Sequence, residues 1–191
     1  MRWLTLYARS RQVPASLAAV LATALVVWAL TRDGSAGHAD PRLPALVIAA
    51  GAMAVSVGLG GQDPALDRTA AIRRAPRRAA HMLLGGAVIG AALLAVQATG
   101  DDLATTAFVI RDSMGLMGLV AVGAVFWGAR HAWSLPLIWL SYAIHAPSSA
   151  GVPTQMATWM LLPPGTDAGT WTAIAVTVAG TTAYAVAGPR R

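Results

Sequence analysis

Cysteine, lysine and glutamate are all absent from the 191-residue chain. Without cysteine there is no disulfide, no thiolate metal site and no thiol nucleophile. Without lysine the phosphate-binding residue of a P-loop has no candidate, and without glutamate the H-E-x-x-H metalloprotease helix is impossible. The chain therefore does not hydrolyse ATP by a P-loop route. Every cation is one of fourteen arginines and every acid one of eight aspartates, so charged residues make up only 12% of the chain. Against this stand 56% hydrophobic residues and a mean hydropathy of +0.58, the balance of a polytopic membrane protein and not of a soluble core. The net charge of +6 raises nucleic acid as a partner. The basic residues, however, fall in loops between apolar runs, which makes them a topology signal and leaves no nucleic-acid role. No repeat of fixed period and no low-complexity stretch is present, so residues 1–191 form a single transmembrane domain.

The chain is organised around GGQDPALDRTAAIRRAPRRAAH, from Gly60 to His81, which holds five arginines between two long apolar runs. Asp63 followed by Pro64 is a helix start, since a carboxylate accepts the orphan amides and proline suits the first helical position. Pro76 is expected to end that helix. Leu66, Ala70 and Ile72 give it a small apolar side, and Arg73, Arg74, Arg77 and Arg78 a cationic edge.

Residues 1–12 carry Arg2, Arg9 and Arg11, with Trp3, Leu6 and Tyr7 on one side at helical spacing, the pattern of an interfacial amphipathic helix. Six spans follow at 13–30, 43–59, 79–98, 108–128, 132–145 and 168–187, each judged against the roughly 30 Å of hydrocarbon a helix must cross. Ala54 and Gly58 in the second span, and Gly86 and Gly90 in the third, are small-residue faces for close packing. Segment 60–78 is cytoplasmic. Segment 146–167, punctuated by Pro147, Pro153, Pro163 and Pro164, holds the apolar patch MATWMLL. Seven residues cannot cross a bilayer, so the segment is expected to be an extracellular re-entrant element packed inside protein.

Counting arginines on alternate sides, and leaving aside Arg111 inside the fourth span, gives eleven on the side of the termini against Arg32 and Arg42 opposite. Both termini are therefore expected in the cytoplasm of a multi-pass protein of the cell membrane. Trp3, Trp127, Trp133 and Tyr184 fall near the inner interface, Trp28 and Trp171 near the outer.

This order of parts resembles the membrane (permease) subunit of compact type V ATP-binding-cassette exporters. The stretches DPALDRTAAIRRAPRRAAHML and RDSMGLMGLVAVGAVFWGARHAWSLPLIWL are similar to those of small actinobacterial permeases of this kind. The resemblance implies an all-α fold, a coupling helix at residues 63–75 and a translocation path formed as a dimer with a second copy or a homologous permease. It also implies a separate ATPase subunit, which supplies ATP and Mg while this chain carries no cofactor and no catalytic residue. Docking to that partner would fall on Asp63, Leu66, Asp67, Ala70, Ile72, Arg73 and Arg74.

Arg111 and Asp112 are costly inside a span unless paired or wetted. Neighbours on a helix point apart, so these two are not expected simply to neutralise each other. Either the fourth helix begins here at the outer boundary, or these groups, with Met114 and Met117, line a hydrated path. Asp63 and Asp67, four apart, also fit a divalent metal in an integral-membrane enzyme of lipid or isoprenoid chemistry, although the fuller aspartate motifs of such enzymes are missing. The four histidines are scattered, with His145 near the outer side bonding to loop backbone. Ser148 and Ser149 beside His145 lack the oriented base a serine nucleophile needs.

Overall fold

The computed structural model describes residues 40–59, 74–99, 103–147 and 151–190, and among them the chain is helical with no strand. The interfacial helix at 1–12, the first span at 13–30, residues 60–73 of the coupling segment, Asp101, Asp102, Ser148, Ser149 and Arg191 lie outside the described residues.

Helix α1 spans Arg42–Ser56 and runs on into a 3-10 turn, Val57–Leu59. Asp40 sets its start by accepting from the Arg42 amide at 2.9 Å. Helix α2 covers Arg74–Gln97. Pro76, Arg77 and Arg78, assigned from the sequence to the end of the cytoplasmic segment, lie instead in the first turns of this long helix. A proline there loses nothing, because first-turn amides have no intrahelical acceptor.

Helix α3, Thr106–Trp127, is capped by Thr105, whose hydroxyl accepts from the Phe108 amide at 3.3 Å. A 3-10 turn at Ala129–His131 leads to α4, Ser134–His145. Helix α5, Val152–Ala157, and a further 3-10 turn at Trp159–Leu161 follow. Helix α6, Asp167–Ala187, closes the bundle, with Asp167 in its first turn where a carboxylate favours the helix dipole.

Among the described residues four helices are long and apolar enough to cross a membrane: Arg42–Leu59, Ala75–Gln97, Thr106–Trp127 and Asp167–Ala187. The short α4 is not one of them, since 12 residues rise only about 18 Å.

Helix α3 is the centre, with 78% of its apolar window buried against 33% for α2 and 28% for α6. Glycine makes this possible. Gly118 and Gly180 bring α3 and α6 so close that a Cβ at Gly180 would collide with the Gly118 carbonyl, and one at Gly118 would come within 2.6 Å of the Val176 oxygen. Lipid chains are as apolar as leucine, so close backbone approach and dispersion hold such helices together in place of the hydrophobic effect. Gly86 and Gly90 do pack closely, against Met114 and Ser113 of α3. On α1 the packing face is Ala45, Ile48, Ala49, Ala52 and Val55, with Gly51 against Ile89 and Ala54 at its margin.

The two ends differ in charge. At one lie the starts of α1, α3 and α6, and with them all three described aspartates, Asp40, Asp112 and Asp167. At the other lie Arg77, Arg78, Arg130 and Arg190. Tyr184, placed by its sequence position at an interface, is at this second end but buried, its hydroxyl 3.4 Å from the Leu59 carbonyl.

Candidate functional site

Arg111 sits in the second turn of α3, and its whole guanidinium is committed. Nε donates to Asp112 Oδ1 at 2.8 Å, Nη2 to the Leu162 carbonyl at 2.9 Å and Nη1 to the Pro163 carbonyl at 3.2 Å. Its Cζ lies 5.1 Å from the centroid of the Phe108 ring, one turn earlier on the same helix, a cation–π distance. The side chains of Arg111 and Asp112 are 7% and 0% exposed.

This corrects the expectation that adjacent residues on a helix cannot neutralise each other. The rule concerns where Cβ atoms point, and arginine's long stem lets Nε swing back across one residue to meet a neighbouring carboxylate. What it meets on the far side explains the rest. The Pro163 carbonyl also accepts from the Thr166 amide at 3.3 Å and the Thr166 hydroxyl at 2.9 Å, and Arg111 adds a donor to it and to the Leu162 carbonyl beside it. The planar fork of arginine reaches both at once. Asp112 keeps its second oxygen, Oδ2, buried without a hydrogen-bond partner.

The same segment is pinned at two further points. Trp159 is fully buried with its indole ring edge against Gly115, where any Cβ would collide with Cη2. Trp139 on α4 donates from Nε1 to the Ala157 carbonyl at 2.8 Å. Gly115 lies nine residues along α3, about 14 Å from its first residue, and the tip of the Trp159 indole reaches that level. Gly169 completes the fit, since a Cβ there would stand 3.3 Å from Arg111 Nη1. Above this sits a cleft of about 240 Å³, lined by Asp40, Pro41, Pro44, Phe108, Leu162 and Pro163 among others. A second, of about 590 Å³, lies beside Gln97, whose amide reaches the Ala104 carbonyl at 2.7 Å.

No family model matches the chain, and comparison with curated proteins and with solved structures gives no match.

The structure separates the residues that the sequence grouped as a path. Arg111 points to the 162–163 segment and α6, whereas Met114 and Met117 fill the notch left by Gly85 and Gly86 on α2, on another face of α3. Asp63, Leu66, Asp67, Ala70, Ile72 and Arg73 lie outside the described residues, and Arg74 is the first residue of α2. His145 bonds at 2.8 Å to the Ser141 carbonyl of its own helix, one turn back, and not to loop backbone. Among the described residues no three metal-ligating side chains come together. Trp159, Gly115 and Gly169 were missed by sequence reasoning. The available signal was a tryptophan inside a proline-bounded apolar run facing a helix rich in glycine.

Proposed function

We propose that this chain is the membrane subunit of an ATP-driven exporter that pairs with a second copy or a homologous permease and docks a separate ATPase through residues 63–75. The observation that carries the reading is the non-spanning segment 151–166, anchored on the bundle by the buried Trp159 and Met160. It is held by Trp159 on Gly115 and by Arg111 on the Leu162 and Pro163 carbonyls. A proline-broken, non-spanning element at the acidic end, just before the last long helix, is the part of the exporter arrangement most specific to it. Segregation of arginine to the opposite end supports placing that end, with both termini and the coupling segment, in the cytoplasm. The acidic end and its cleft then face outward.

Affinity purification of the full chain with the ATPase subunit tests the proposal. Leu66→Asp places a charge on the apolar side of the coupling helix, and a buried anchor contributes more to an interface than a rim charge. The variant should lose the ATPase, or uncouple its hydrolysis from transport, while the chain stays folded. Unchanged capture and transport would remove the assignment. Mg²⁺-dependent turnover by the isolated chain, lost in Asp63→Asn and Asp67→Asn, would favour the membrane-enzyme reading instead.

A further inference from the structure

Three arginines far apart in sequence come to one end of the bundle, two of them around a glycine with left-handed backbone. Helix α6 ends at Ala187, and Gly188, at φ +73°, turns the tail back over α3. There the Arg190 amide donates to the Ala124 carbonyl at 2.9 Å and its Nη1 reaches the Phe126 carbonyl at 3.4 Å. Gly128, at φ +85°, ends α3 and leaves room for the Arg190 carbonyl, which a Cβ would approach to 2.7 Å. Two residues on stands Arg130, exposed in the 3-10 turn. From α2, Arg78 reaches across to Gly188, where a Cβ would come within 2.6 Å of its Nη1. Arg78 and Arg190 therefore come together around Gly188, and Arg130, two residues past the glycine that faces the Arg190 carbonyl, lies at the same end of the bundle.

Nothing described neutralises these arginines, because Asp40, Asp112 and Asp167 all lie at the opposite end. Counting the adjoining segment as well, Asp63 and Asp67 are outnumbered by Arg68, Arg73, Arg74 and Arg77 alone. At the same end two indoles are presented outward, Trp127 at 49% and Trp133 at 42% exposure, and Leu84, further along α2, is 63% exposed. Guanidinium groups read phosphate oxygens in pairs. Indoles settle at headgroup level, and an exposed leucine on a spanning helix offers a surface for an acyl chain. A free anion or a soluble acidic protein would use the arginines but not this apolar margin.

We propose that Arg78, Arg130 and Arg190, with Trp127 and Trp133, form a binding site for the phosphate headgroup of an anionic phospholipid. The site does not depend on the exporter assignment. Native mass spectrometry of the full chain in neutral detergent, with phosphatidylglycerol or phosphatidylcholine of the same acyl chains added, reads it directly. Wild type should retain phosphatidylglycerol preferentially. Arg78→Gln/Arg130→Gln/Arg190→Gln should bring retention down to the phosphatidylcholine level, and Arg42→Gln at the other end should leave it unchanged. If the triple variant is poorly folded, Arg130→Gln alone, at an exposed position, should still lower phosphatidylglycerol retention about five-fold. Equal retention of the two lipids, full retention by the variants, or an equal loss in Arg42→Gln would overturn the proposal. So would complete displacement of the lipid by excess inorganic phosphate, which would identify the ligand as a free anion. Loss of ATPase capture with lipid retention intact would mark these arginines as a protein-docking surface and likewise overturn it.

Discussion

At Arg111 a single side chain makes four contacts: it pairs with Asp112, donates to the Leu162 and Pro163 carbonyls and stacks on Phe108. Removing one partner of a buried pair leaves the other charge uncompensated, so Arg111→Gln should destabilise the protein by about 3–5 kcal/mol. Thermal unfolding in detergent measures this. Arg111→Gln/Asp112→Asn should be less damaging than the two single changes summed, because the pair is coupled; strict additivity would show that the ion pair contributes nothing. Gly115 makes the complementary case. A methyl group there must push Trp159 aside, so Gly115→Ala is expected to cost about 1–3 kcal/mol by overpacking. Trp159→Leu should restore most of that loss, and a double variant no better than Gly115→Ala would refute the steric account.

At the scale of elements, segment 151–166 owes its place to the neighbours that hold it. Helix α5 has six residues, far below the length at which an isolated helix holds itself in water; Trp139 ties its last carbonyl, and the chain after it is held by the Trp159 ring on Gly115 and by Arg111. The segment should therefore enter and leave the bundle at one face. With no native cysteine, single-cysteine labelling gives a clean readout. Cysteines at Ser149 and Asp167 should both react with an impermeant reagent from outside, while one at Met160, fully buried, should resist. Labelling of one flank from the cytoplasm would mean that the segment crosses. The α3–α6 pair is the other element to test. Gly180→Val would drive a side chain into the Gly118 carbonyl, and the expected result is loss of the monodisperse folded protein on gel filtration.

For the molecule as a whole, the proposed orientation rests on charge segregation. Five arginines, Arg74, Arg77, Arg78, Arg130 and Arg190, belong to one end of the described bundle, and Arg42 and Arg111 to the other. Reporter fusions after Arg191 and within 33–40 should place the first in the cytoplasm and the second outside. A C-terminus found outside would invert the bundle and, with it, the docking role proposed for residues 63–75.

The membrane class of the protein and the placement of its long helices were legible in the chain itself. Long apolar runs, arginine concentrated at their flanks, and Gly86 and Gly90 at a packing spacing all express local composition, which needs no tertiary partner to be read. What tertiary structure decided was every relation across distance. Gly115 receives Trp159, Gly118 meets Gly180, and Arg78 and Arg190 come together around Gly188. Arg111 shows why such relations escape a sequence: the azimuth of a Cβ on a helix is set by residue number. Where a long, flexible side chain ends is decided by the acceptors that the fold brings within its reach.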